Sequence, residues 1–189
     1  TLTDVTATGD VSVAEDIEAE YVGGLVGQNN YGNMTNAHAT GIVNATQSDN
    51  VGGLAGFNYN GTINNASATG EVTGADYVGG LVGLAQAGGM KTIKNTYATG
   101  AVIGANGVGG LVGANQGDTI KRSYATGTVT ASGLHAGGLM GYNGGLIENA
   151  YATGSVTDGS KAGGLVGTND GEINNAYATG AVTSDGEDV

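Results

Sequence analysis

A Gly-Gly-Leu triplet returns at Gly23, Gly52, Gly79, Gly109, Gly137 and Gly163, in steps of 29, 27, 30, 28 and 26 residues. A recurring period in this range marks repeat architectures, in which each unit is one supersecondary element that buries its apolar face only against its neighbours. The period also decides what composition leaves open. With 39 glycines, one phenylalanine and neither proline, cysteine nor tryptophan in 189 residues, the chain leans toward disorder. A disordered linker, however, has no reason to hold Leu, Ile and Val at fixed offsets.

One unit reads GGLVGTNDGEINNAYATGAV, from Gly163 to Val182. A glycine segment, Val22 to Gly27 in the first copy, has counterparts beginning at Val51, Val78, Val108, Ala136 and Ala162. A turn rich in Asn and Gly follows, such as Gly141 to Gly145 or Gly167 to Gly171. Next comes a longer segment, Ile173 to Thr183, matched by segments beginning at Met34, Ile63, Ile93, Ile120 and Ile147. Short runs with period-two alternation bounded by Asn and Gly are strands, and no helical stripe is long enough to bury, so the chain reads as all-β. In the long segment Ala176, Ala178, Gly180 and Val182 share one face, and Tyr177, Thr179 and Ala181 the other. The first face is taken as inward, because its Ala returns as Ala7, Ala39, Ala68, Ala98, Ala125, Ala152 and Ala178 and its Val at the matching offset. Leu25, Leu54, Leu81, Leu111, Leu139 and Leu165, with the Ile column, supply the bulk of the core. Leu25 and Val26 compete for the inward side of the glycine segment, and alternation alone does not choose between them. The acidic stretch Val13 to Glu20 reads as a loop or a single helical turn.

A unit of roughly 27 residues, at about 3.3 Å per strand residue, traces one closed coil of a parallel β-helix; a propeller blade needs about 40. The expected architecture is a right-handed parallel β-helix (β-solenoid) of about six to seven coils, stacked ~4.8 Å apart. Residues 1–22 form a partial first coil with an acidic insertion, and residues 23–189 form six repeats in one continuous solenoid. Because the first and last residues fall inside a unit, the chain is expected to be a piece of a longer protein. Asn115, Asn143 and Asn169 stack in this arrangement, either as a side-chain ladder or simply as turn residues beside glycine. In the third copy Ala85 to Lys91 replaces the Asn-Gly turn, so a ladder is expected to break there. Lys94, Lys121 and Glu148 share one offset, which sets Lys121 against Glu148.

The unit GGLVGxNxGxIxNxYATGxV resembles the GLUG repeat, a motif of secreted and surface-attached bacterial and archaeal proteins, among them adhesin-like proteins and non-catalytic parts of some IgA-cleaving peptidases. The resemblance covers residues 23–182. It implies a surface-exposed β-solenoid, extracellular or on the cell surface, and it brings no active site with it.

A formal charge of -12 with five basic residues argues against nucleic acid and against anionic membranes, both of which are recognised through Lys and Arg. No apolar run approaches the roughly 18 residues of a membrane-spanning helix, so no membrane insertion is expected. His38 and His135 fall at unrelated offsets, neither HExxH nor GxSxG occurs, and no catalytic residue is assigned. The acidic turns at Asp170 to Glu172 and Asp185 to Asp188 lack the regular spacing of a calcium site, so neither a metal nor a cofactor is expected. Lys91, Lys94, Lys121 and Arg122 read as a solvated face rather than an anion site.

The best candidate for contact is an outward column, Tyr97, Tyr124, Tyr151 and Tyr177, continued by Ser67 and His38. Thr99, Thr126, Thr153 and Thr179 run two residues further along. Stacked phenols beside hydroxyls suit sugar rings or a protein partner; alternatively they only stiffen the ladder. The expected function is therefore a structural and adhesive solenoid segment, a stalk or interaction surface. Its partners would be neighbouring domains of the parent protein and a surface glycan or protein. A glycan-binding module on the Tyr and Thr columns is the alternative. Weaker ones are an ice-binding Thr ladder, spoiled by Tyr177 beside Thr179 and Thr183, and a β-helix polysaccharide enzyme.

Overall fold

The computed structural model describes residues 1–89, 91–158 and 160–184, and the acidic turn Asp185 to Asp188 lies outside them. Among the described residues there is no helix, and the strands form four sheets of nine, seven, six and six strands. All the ladders are parallel, and each joins a unit to the next. In the long sheet Met34 pairs with Ile63, Ile63 with Ile93, Ile93 with Ile120, Ile120 with Ile147 and Ile147 with Ile173. The chain is thus a parallel β-solenoid in which every complete coil contributes to each of four faces, the long strand being split in two in two of them (Thr92–Lys94 with Tyr97–Ala98, Thr119–Lys121 with Tyr124–Ala125). We call these the long sheet, the valine sheet (Val72–Thr73 and its equivalents), the glycine sheet (Val78–Gly79) and the asparagine sheet (Val82–Gln86).

The long sheet buries both Ile63 and Ala66. Strict alternation would send residues three apart to opposite faces. Asn65 resolves the conflict by adopting a left-handed conformation with φ 53°, and Asp4, Asn36, Asn95, Arg122, Asn149 and Asn175 stand in the same column with φ between 48° and 54°. One such residue kinks the strand and resets which face the following side chains take. Asn tolerates that conformation better than most residues, and here its side chain also reaches across coils. Asn65 Nδ2 donates to Asn36 Oδ1 and Asn36 Nδ2 to Asp4 Oδ1, each at 2.6 Å.

The core has two compartments. Leu54, Leu81, Leu111 and Leu139 pack with the Ile column between the long and asparagine sheets. The Val side chains of the valine sheet meet Val51, Val78 and Val108 of the glycine sheet. Between the compartments the coil is pinched to a waist of Ala against Gly. A Cβ placed on Gly53 would lie 2.8 Å from the Ala68 methyl, and one on Gly110 would lie 2.9 Å from that of Ala125. The Ala column therefore stays small because the residue facing it has no side chain. The competition between Leu25 and Val26 also has an answer. The chain turns a corner at the glycines, so Leu and the next residue both face the same compartment, as with Leu54 and Ala55 or Leu81 and Val82, all fully buried.

The acidic stretch before the first full coil is a loop. Ile17 N donates to the Ala14 carbonyl at 3.0 Å in a single turn, and Ala19 N is tied to the buried Ser48 Oγ at 3.0 Å.

Candidate functional site

The register places the expected tyrosine column as read: Ser67 pairs with Tyr97, Tyr97 with Tyr124, Tyr124 with Tyr151 and Tyr151 with Tyr177. The four rings stack with centroids 5.2, 4.9 and 5.2 Å apart and interplanar angles of 6°, 2° and 7°. Ring faces are thereby spent on one another, leaving edges and hydroxyls to solvent; Tyr177 is the most open at 56% exposed. Burial, followed by the neighbouring Tyr151 and Tyr97 phenols, raises the Tyr124 pKa above that of an ordinary tyrosine. Below the stack His38 Nδ1 shares a hydrogen bond with Ser67 Oγ at 2.8 Å. Thr99, Thr126, Thr153 and Thr179 form the exposed hydroxyl row beside it.

Such aromatic contacts are worth about 0.5–1.5 kcal/mol each beyond burial. Replacing Tyr124 and Tyr151 together by Ser, the residue at position 67, removes all three. The variant is expected to keep a β-type circular dichroism spectrum while melting several degrees lower. An unchanged melting temperature would show that the stack contributes no stability.

Inside the turns the asparagines form a buried ladder. Asn29 Nδ2 donates to Asn58 Oδ1 at 2.7 Å, Asn115 Nδ2 to Asn143 Oδ1 at 3.0 Å and Asn143 Nδ2 to Asn169 Oδ1 at 2.7 Å. Each also closes its own turn, as Asn58 Nδ2 does on the Gly61 carbonyl at 3.0 Å. The left-handed positions of this turn column belong instead to Tyr31, Asn60 and Gly117. The ladder breaks at the third copy, where Ala85 stands between Asn58 and Asn115.

That break has a buried consequence. A Cβ at Gly145 would come 2.6 Å from Asn115 Nδ2 of the coil before, so a regular turn needs glycine there. Asp118 is the equivalent residue one coil earlier. Below it Ala85 leaves room, and Asp118 is fully buried with neither carboxylate oxygen hydrogen-bonded. Desolvation pushes its pKa up to about 7, against a smaller pull downward from Lys91.

The expected pair between coils is also present. Lys121 Nζ donates to Glu148 Oε2 at 2.7 Å, and this hydrogen bond is the first cause holding the Glu148 carboxyl below its ordinary range. Both side chains are partly exposed, so the pair adds about 0–1 kcal/mol. Among the described residues no three His, Asp or Glu side chains come together as a metal site, and no helix is long and apolar enough to cross a membrane.

Two features of the outer surface escaped the sequence reading. Tyr21 stacks on Phe57 at 5.0 Å, and Tyr31 meets Tyr59 edge-on at 5.3 Å. Further along, a cleft of about 500 Å³ opens between Tyr77 and Tyr142, with Asp76, Gln116 and Leu134 on its walls. Their columns carry a different residue in most coils, so repetition does not flag them. The spacing of about one unit between Tyr31 and Tyr59 is the signal that was available for the first.

The family model of the GLUG motif matches residues 18–44, 48–73, 104–130, 132–157 and 158–183. The matched segments take in well over half of the chain and pass over 74–103, which contains the long turn and the broken ladder, although the coil there keeps its register. No curated protein and no solved structure matches the chain. With five matched segments, each about one coil long, the chain belongs to the GLUG-motif family.

Proposed function

We propose that this chain is a non-enzymatic spacer segment of a larger secreted or cell-surface protein, one that sets the distance between neighbouring domains and offers its flank for adhesion. One observation carries the reading: equivalent residues pair coil to coil through the whole stack, from Leu2 against Met34 to Ile147 against Ile173. Each coil then adds a fixed rise of ~4.8 Å at constant cross-section. The buried asparagines and stacked tyrosines repeat along the same direction and resist shear between coils. The resemblance to secreted and surface-attached repeats supports the extracellular placement. Both histidines are engaged within the fold, His38 with Ser67 and His135 with Thr168 at 2.6 Å, which favours structural roles for them.

The test is to lengthen the ruler. Residues 109–136 span one coil, and a duplicate inserted after residue 136 keeps the register. Small-angle scattering is expected to show a maximum dimension about 5 Å larger with the cross-section unchanged. A wider particle, or an inserted segment that adds no β signal, would defeat the spacer reading.

A further inference from the structure

Where the third coil passes into the fourth, small residues stand in columns that carry larger ones in neighbouring coils. On the asparagine sheet the outward column runs Gln28, Phe57, Leu84, Ala114, Tyr142 and Thr168. At the corner before the glycine sheet the column runs Tyr21, Asn50, Tyr77, Gly107, His135 and Lys161, each just ahead of the paired Val or Ala. Ala114 and Gly107 are both small and both buried, Gly107 under the Tyr77 ring. Beside them a cleft of about 500 Å³ opens between Tyr77 and Tyr142, with the exposed Leu134 on its wall. Glycine at 107 is required twice over. Its φ is +64°, and a Cβ there would come 2.9 Å from Cδ1 of the Tyr77 ring, which lies over it.

We propose that this cleft binds a single neutral pyranose ring of a glycan. The cleft lies within the roughly 300–1,000 Å³ of small-ligand sites. Its walls offer what the C–H face of a sugar packs on: Tyr77 is 40% exposed and Leu134 42% exposed. Its rim offers a fixed acceptor and a fixed donor for neighbouring hydroxyls. Asp76 Oδ1 is held by Asn106 N at 3.2 Å and Asn106 Nδ2 at 2.9 Å, which orients the carboxylate and leaves Oδ2 to accept. Gln116 Oε1 accepts from Gln86 Nε2 at 3.0 Å, which leaves the Gln116 NH₂ to donate.

Charge selects against acidic ligands. Neither Lys nor Arg is among the described residues lining the cleft, His135 on its lining is hydrogen-bonded to Thr168, Asp76 is on its wall, and Asp170 accepts from the Tyr142 hydroxyl at 3.0 Å. A phosphate or a uronate would meet these carboxylates unpaired. The tyrosine column is a poorer sugar platform, since all but the outer faces of its two end rings are occupied by one another. The proposal goes beyond the spacer reading, and its failure leaves that reading standing, because the lengthened chain tests the latter by dimension alone.

The experiment is a titration of the ¹⁵N-labelled protein with the methyl glycosides of glucose, galactose, mannose and N-acetylglucosamine, and with glucuronate. At least one neutral glycoside is expected to shift the amides of Gly107, Gln116, Leu134 and Tyr142, while glucuronate shifts none. Leu134→Ser, at an exposed residue, removes one apolar wall of the cleft and is expected to weaken binding at least about tenfold at an unchanged melting temperature. Gln116→Ala, an exposed substitution, is the second variant if the first lowers stability. No shift with any neutral glycoside, shifts confined to Tyr97, Tyr124, Tyr151 and Tyr177, equal binding of glucuronate, or undiminished binding by both variants would each overturn the assignment.

Discussion

Ala125→Leu is expected to destabilise the solenoid severely, whereas Thr128→Leu, three residues along the same coil, leaves its melting temperature nearly unchanged. Ala125 is fully buried at the waist between the two core compartments, and the surface opposite its methyl group is Gly110. Three additional carbons have neither a cavity to enter nor a flexible side chain to displace, since the wall they meet is backbone held in register by the coils on both sides. Ordinary overpacking costs about 1–3 kcal/mol, and a rigid backbone wall places this site at or above the upper end. Thr128 is exposed, and surface changes of this kind usually fall within about 0.5 kcal/mol. Thermal melts of the two variants check the claim. Similar melting temperatures, or the reverse order, would mean that the Ala-Gly waist is not the rigid element described.

The waist shows what the sequence made legible. Ala and Val recurring at one offset each identified the inward face, and that face is inward. The kink inside the long strand went unread, although its signal was present. Ile173 and Ala176 were both assigned to the interior while standing three residues apart, which strict alternation forbids. Asn at the same offset in five units, including Asn65 and Asn149, marked where the backbone leaves the β region. The corner at Gly-Gly-Leu was undecided for a similar reason. Period-two reasoning allows one of Leu25 and Val26 to face inward, and only a bend lets both do so. The stacking of the turn asparagines and its interruption at Ala85 were legible because the period gives which residue stacks on which, whereas the choice between a side-chain ladder and plain turn residues came only from the hydrogen bonds. The cleft was not legible, because its walls, Tyr77, Leu134 and Tyr142, come from different columns whose outward direction depends on the corner that alternation could not describe.

Asp118→Asn is expected to stabilise the protein at pH 8 by several kcal/mol and to leave it unchanged near pH 3.5. The folded carboxyl titrates at about 7 against an ordinary 3.8, chiefly because burial disfavours its charged form. Below about pH 4 the group is protonated in both folded and unfolded chains and makes no difference. Between about pH 4 and 7 the unfolded chain loses this proton and the folded one keeps it, so the folded state binds more protons and stability falls as pH rises. Above about pH 7 the full penalty remains, and a shift of about three pKa units at 1.36 kcal/mol each puts it on the order of 4 kcal/mol. Glu148 works in the opposite sense, since its depressed pKa gives stability that is lost as pH falls through its titration, but it is common to both proteins and cancels in the difference. Asn keeps the shape of the side chain in the room left by Ala85 and removes the charge, so the variant's stability curve lacks the decline between pH 4 and 7 that Asp118 imposes. Chemical denaturation of both proteins at pH 3.5, 5.5 and 8 measures the difference directly. A gap that fails to widen with pH, or a wild type more stable than the variant at pH 8, would show that Asp118 is not held uncharged in the break of the asparagine ladder.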